Sequence, residues 1–108
     1  MASDPDILQR LERIIEQRRR GAHDTSYVAS LNARGLPVIA RKVGEEGVET
    51  VVAALSGSHE ELVGEAADLI FHLLVLLGTK DVTLAEVLAE LERREGVSGL
   101  EEKAARNS

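Results

Sequence analysis

Between Ala66 and Gly78 the chain reads AADLIFHLLVLLG, apolar or glycine at every position except Asp68 and His72. A helix this apolar around its circumference must be buried on most of its faces, so the rest of the chain has to supply the cover. The run also constrains its two polar residues. An ionised carboxylate held there without a partner destabilises the fold or takes up a proton instead. Upstream, Glu61 and Glu65 join Asp68 and His72 at i, i+4, i+7 and i+11, on one narrow helical face. Such a stripe needs a partner.

The preceding segment offers one. RKVGEEGVETVV, Arg41 to Val52, carries Glu45, Glu46 and Glu49 within five positions. Like charges at i,i+3 and i,i+4 repel on a helix surface, so something must neutralise them. At ~100° per residue, Val48, Val51, Val52 and Leu55 share a span of about 100°, while Lys42, Glu45, Glu46 and Glu49 share another beside it. The acids are therefore expected at the border of a core-facing stripe. Lys42 stands four residues before Glu46 and can offset part of the charge, but one lysine does not balance three glutamates.

The remaining pattern is helical throughout. Asp4 with Pro5 reads as an N-cap and first helical position, followed by Ile7, Leu8, Leu11, Ile14 and Ile15 up to Gly21. A short helix follows in SYVASLNARG and stops at Gly35; Pro37 opens a third that runs to about Leu55. Ser58 with Glu61 and Thr83 with Glu86 fit capping boxes that start a fourth and a fifth helix. Ser98 with Glu101 fits a further box in a polar tail, residues 97–108. No stretch alternates with period two, so the expected fold is all-α, a bundle of about five helices in one domain spanning residues 1–108. A chain of 108 residues buries only part of its apolar surface alone, and pairing with a second copy is expected.

Composition removes several function classes. A net charge of −6 is wrong for a nucleic-acid surface, so no nucleic-acid partner is expected. Without cysteine there are no disulfides, thiolate metal sites or cysteine nucleophiles. No signal peptide precedes the first helix, and LIFHLLVLLG, interrupted by His72, reads as too short to span a bilayer. A cytoplasmic protein without membrane association is the expectation. No phosphate-binding glycine loop, EF-hand loop or nucleophile elbow is present, and the E-x-x-H pairs of di-iron bundles are missing.

What stands out is Glu46-x-x-Glu49 and, after fifteen intervening residues, Glu65-x-x-Asp68. Two such pairs on adjacent antiparallel helices would form an all-oxygen cage of the kind that hard cations, Mg²⁺ or alternatively Mn²⁺, prefer. A single E-x-x-E is ordinarily a solvated face; two, one of them inside an apolar run, are harder to dismiss. His72 admits two readings, a hydrogen-bonded core residue or a group that orients the ligands or touches substrate.

These residues resemble the MazG-type all-α NTP pyrophosphatase superfamily and, within it, the phosphoribosyl-ATP pyrophosphohydrolase family of histidine biosynthesis. The stretches that carry the likeness are SYVASL, RKVGEEGVETVVAA, EAADLIFHLLVLL, VLAELERR and the tail SGLEEKAAR, nearly the whole chain. The resemblance implies Mg²⁺-dependent hydrolysis of phosphoribosyl-ATP to phosphoribosyl-AMP and pyrophosphate by a homodimer whose helices complete a shared core. It puts Glu46, Glu49, Glu65 and Asp68 at metal-ligand positions, with Glu45 beside them to hold or deprotonate the attacking water. Lys42 and Arg41 would face substrate phosphates, and His72, Ser26 and Tyr27 would contribute to the substrate site. Arg94, with Arg93, would neutralise phosphate from a dimer partner; the plainer reading of both is charge complementarity at a helix C-terminus.

Two departures stand out. Gly44 and Gly47 weaken the third helix by about 1 kcal/mol each relative to alanine, which suggests close helix packing. Phe71 stands where the family commonly has tyrosine. Functional coupling to a phosphoribosyl-AMP cyclohydrolase is also implied. Two rival expectations remain: a house-cleaning pyrophosphatase for non-standard nucleotides, and a non-catalytic helical dimerisation module.

Overall fold

The computed structural model describes residues 6–21 and 26–95, together with Lys103 and Arg106. Five α-helices follow in order, α1 Ile7–Arg20, α2 Tyr27–Arg34, α3 Leu36–Ser56, α4 His59–Thr79 and α5 Leu84–Arg94. Among the described residues there is no strand. The fold is all-α, as the periodicity requires. Asp4, Pro5 and the capping pair Ser98 and Glu101 lie outside the described residues, and α1 is instead preceded by Asp6 as its N-cap.

The caps chosen by the sequence do their expected work. Ser26 Oγ accepts the Ala29 N–H at the start of α2, and Ser58 Oγ accepts the Glu61 N–H at the start of α4. At α5 both halves of the box close, with Thr83 Oγ1 accepting from Glu86 N–H and the Glu86 carboxylate accepting from Thr83 N–H. Pro37 sits in the first turn of α3, where no intrahelical donor is lost. α4 ends in a pair of reversed bonds, Val82 N–H to the Leu77 carbonyl and Asp81 N–H to that of Gly78. Asp81 takes the left-handed conformation there, φ 57°, a position usually given to glycine.

α3 and α4, 21 residues each, form a long hairpin that is the spine of the molecule. Only Gly57 and Ser58 separate them, and a Cβ at Gly57 would stand 3.0 Å from the Ala53 carbonyl oxygen and 2.6 Å from a Glu61 carboxylate oxygen. The turn therefore has no room for a side chain. α1 packs along α4, and α2 fills the angle between α1 and α3. One core joins all five helices: Ile15, Val28, Leu31, Ile39, Leu74, Val75 and Leu84. α5 is tied in by Leu84, whose N–H also donates to the Glu12 carboxylate at 2.7 Å.

The two long helices depart from the expected orientation. Val48, Val51, Val52 and Leu55 do not face this core; Leu55 is 83% exposed and Val48 64%. The buried side of α3 runs instead through Ile39 and Ala53, with Glu46 and Thr50 half-buried on it. The acids thus point partly between the helices while the valines look outward. Val63, Ile70 and Leu73 of α4 are exposed as well. At Gly44 and Gly47 no atom lies within 4 Å of where a Cβ would stand, so nothing in the described chain packs closely on them. Taken whole, α4 is long and apolar enough to cross a membrane by length and composition, which its shorter apolar run did not suggest. Its Glu65 and Asp68, however, fall mid-helix, and its inner side is packed against α3 and α1.

Candidate active site

The hairpin brings the two acidic motifs together. One carboxylate oxygen each from Glu46, Glu49 and Glu65 lie within 4.8 Å of one another. Glu46 is buried enough that its Oε2 has no solvent and no hydrogen-bond partner, and the same holds for Glu65 Oε2. Buried oxygens without donors are uncommon in folded proteins and ask for an explanation. Burial pushes the Glu46 carboxyl above its usual range, and the charge and hydrogen bond of Glu49 push it further. Glu65 is pushed up to about 7, first by its hydrogen bond with Glu49, then by desolvation and the charges of Glu49, Glu46 and Asp68. Without a counter-charge, these surroundings favour the protonated forms of Glu46 and Glu65. A divalent cation would remove the repulsion and satisfy the orphaned oxygens, so this donor set, all carboxylate oxygen, fits a hard cation such as Mg²⁺.

Thr50 fixes the geometry. Its hydroxyl lies 2.7 Å from the Glu46 carbonyl oxygen, one turn back, and 3.3 Å from the Glu65 carbonyl oxygen across the hairpin. A single side chain thereby sets the register of the two helices at the level of the cluster. Sequence reasoning passed over it. The only signal was a β-branched hydroxyl four residues after Glu46, and the spacing to Glu65 has meaning only once the hairpin is known.

The other expected residues are distributed around this centre. Asp68 is exposed at its edge and outside the group of three, although its charge reaches Glu46 and Glu65. Glu45 turns away and pairs with Arg41 at 3.2 Å and Lys42 at 3.8 Å, so Lys42 offsets Glu45 and not Glu46. His72 is 5% exposed and held at both ring nitrogens, Nδ1 at 2.7 Å from the Asp68 carbonyl and Nε2 at 2.8 Å from the Tyr27 hydroxyl. A carbonyl can only accept, so Nδ1 carries the proton, and in the neutral ring Nε2 accepts from Tyr27. Of the two readings of His72, these contacts match the first, a hydrogen-bonded core residue. Ser26 caps the helix that presents Tyr27. Arg93 and Arg94 are not brought to the cluster within this chain; both bind Glu90, whose carboxyl they hold down at about 2.

A cleft of about 240 Å³ runs from Glu49 and Glu65 past Ala53 to Gly57 and Glu61. A larger hollow of about 320 Å³, lined by Ile15, Leu74, Leu77 and Val82, lies between α1 and the end of α4, away from the carboxylates.

An all-α fold with carboxylates converging between its two longest helices defines a class of helical protein whose site suits hard cations and the phosphates they bridge. Comparison with known proteins makes the class specific. Residues 8–95 match the family described as phosphoribosyl-ATP pyrophosphohydrolase. The chain is 67% identical over 103 residues to a phosphoribosyl-ATP pyrophosphatase of Novosphingobium aromaticivorans, covering 95% of this chain and 96% of the relative. It is 69% identical over 101 residues to the protein of the same name from Erythrobacter litoralis, covering 94% and 97%. That from Rhizorhabdus wittichii is 60% identical over 99 residues, covering 92% and 93%. The chain belongs to the phosphoribosyl-ATP pyrophosphohydrolase family.

Proposed function

We propose that this protein hydrolyses the α–β phosphoanhydride of phosphoribosyl-ATP, giving phosphoribosyl-AMP and pyrophosphate, the second step of histidine biosynthesis. The observation that carries the reading is the cluster of Glu46, Glu49 and Glu65, with two buried oxygens that lack any donor, inside a chain of this family. These three, with Asp68 closing the edge, would hold Mg²⁺, or Mn²⁺ in its place. The cation supplies positive charge to the triphosphate and to the departing pyrophosphate.

The chain's own groups do the rest. Exposed Arg41 and partly buried Lys42, on the same turn of α3, face the incoming phosphates when they leave Glu45. Glu45, released from them, holds the attacking water and accepts its proton. The exposed stripe of Val48, Val51, Val52 and Leu55, continued by Val63, Ile70 and Leu73, supports a homodimer that completes the core. In such a dimer Arg94 of one copy would neutralise phosphate in the other's site. The whole chain, residues 1–108, acts as one domain in the cytoplasm, and its product is what a phosphoribosyl-AMP cyclohydrolase consumes.

The test is pyrophosphate release from phosphoribosyl-ATP beside ATP and dUTP, with Mg²⁺ and with chelator. Turnover confined to phosphoribosyl-ATP and abolished by chelation is expected. Glu49→Gln, which keeps shape but removes a ligand charge, should lower kcat at least about 100-fold in a folded protein. Turnover of ATP and dUTP alone would reassign the chain to house-cleaning pyrophosphatases. Silence on all three would leave a helical dimerisation module.

A further inference from the structure

The carboxylate cluster recognises a cation and phosphate, and nothing in it distinguishes a nucleotide from any other polyphosphate. Discrimination of a base needs a π surface or matched hydrogen bonds nearby. This chain has little aromatic surface to offer: one tyrosine, one phenylalanine and no tryptophan. Tyr27 and Phe71 nevertheless come together from α2 and α4, 44 positions apart in sequence, with ring centroids at 6.1 Å and planes within 24°. The His72 ring meets both edge-on, at 5.6 Å and 5.3 Å.

This aromatic group is joined to the acidic stretch of α4. His72 Nδ1 donates to the main-chain carbonyl of Asp68, one turn before it. Phe71 is partly buried among core residues, whereas Tyr27 is 47% exposed. Its hydroxyl is fixed on His72 Nε2 at 2.8 Å, and Phe71 backs the ring. An exposed phenol would ordinarily be free to rotate; here the ring is held before any ligand arrives, so little further entropy is lost on stacking.

We propose that Tyr27, backed by Phe71 and anchored by His72, is the stacking platform for a purine ring of the nucleotide whose phosphates occupy the carboxylate cluster. The proposal rests on the reading of that cluster as the pyrophosphohydrolase site, and it assigns to Tyr27 the selection of nucleotides over bare polyphosphate. The hydroxyl is the anchor and the ring the recognition element. Ring removal should therefore weaken nucleotide binding more than loss of the hydroxyl.

The wild-type protein carries its own probe, because Tyr27 is the sole tyrosine and no tryptophan masks it. With Mg²⁺ present, α,β-methylene-ATP should quench tyrosine emission beyond its effect on free tyrosine, and inorganic tripolyphosphate should not. In calorimetric titrations Tyr27→Leu should lose about tenfold or more in affinity for the nucleotide analogue, from the loss of base–aromatic stacking. It should bind tripolyphosphate within about twofold of wild type, and Tyr27→Phe should retain most nucleotide affinity. Equal losses for both ligands in Tyr27→Leu, no loss for either, or absence of nucleotide-specific quenching would overturn the platform. The quenching experiment decides the matter even if Tyr27→Leu does not fold. Failure of the wild-type protein to bind either ligand would instead remove the cluster reading, and the platform with it.

Discussion

Glu65 shows how a single residue gathers the charge repulsion of the carboxylate cluster. It stands in α4 immediately before the apolar run that begins at Ala66, and its carboxyl is pushed up to about 7 because Glu49 shares a hydrogen bond with it, burial desolvates it and the neighbouring acids repel its charge. In the unfolded chain the same group has its ordinary value of 4.5. Between these two values the folded state holds more protons at this group than the unfolded one, so its contribution to stability is fully present below about 4.5 and is lost as pH rises through about 7. In chelator, the melting temperature should therefore decline over that interval, and Glu65→Gln should flatten the decline. Cation binding runs the other way, because the ligand must be deprotonated. Affinity for Mg²⁺, followed by calorimetry, should rise from pH 5.5 to about 7 and then level off, with protons released on binding at the acid end; a pH-independent affinity would show that Glu65 is not a ligand. The acidity of this position was legible from the sequence, since Glu65 and Asp68 stood out against the apolar run. The partition of roles was less so. Glu45 belongs by spacing with Glu46 and Glu49, yet its rotamer takes it to Arg41 and Lys42.

The hairpin of α3 and α4 is where helix ends and a helix-to-helix bond decide the site. Capping residues and Gly57 locate the turn within a residue or two, and the pairing of Ser58 and Thr83 with downstream glutamates was readable because these contacts are local. Thr50 is not local. Its hydroxyl reaches the Glu65 carbonyl across the hairpin, and only the relative height of the two helices brings them together. Thr50→Val preserves the shape of the side chain and removes the hydroxyl, so it should cost about 1 kcal/mol in denaturant unfolding, the net value of one such bond. It should also weaken Mg²⁺ binding several-fold by loosening the register, whereas Thr50→Ser restores most of both. An unfolding cost with unchanged Mg²⁺ affinity would confine Thr50 to a structural role. On the same helix the angular pattern separates the valine stripe of α3 from the glutamates, but a helical wheel gives the angle between two faces and not which one meets the rest of the chain. In this chain the half-acidic face turns inward and the valines outward.

At the scale of the molecule, that outward stripe is an apolar surface left uncovered in the single chain. Val48, Val51, Val52 and Leu55 on α3, with the open Gly44 and Gly47 near them, present an apolar face lacking any large side chain at one end. Such a face favours close approach of another helix, and a second copy of the hairpin is the expected occupant. Val51→Asp places a charge at its centre and should convert a dimer to monomer in sedimentation velocity, with a lower melting temperature and loss of activity. A variant that stays dimeric would move the interface elsewhere. By itself, the sequence determined the helices, their caps, the all-α class, and the two acidic pairs, because each depends on residues within four positions of one another. It also carried the family, through motifs that are contiguous in the chain. Only the tertiary structure decided which carboxylates converge, that Lys42 pairs with Glu45, that Thr50 spans the hairpin and that Tyr27 reaches His72. Those contacts join residues that the chain keeps far apart, or choose among neighbours by rotamer, and packing is what brings them within bonding distance.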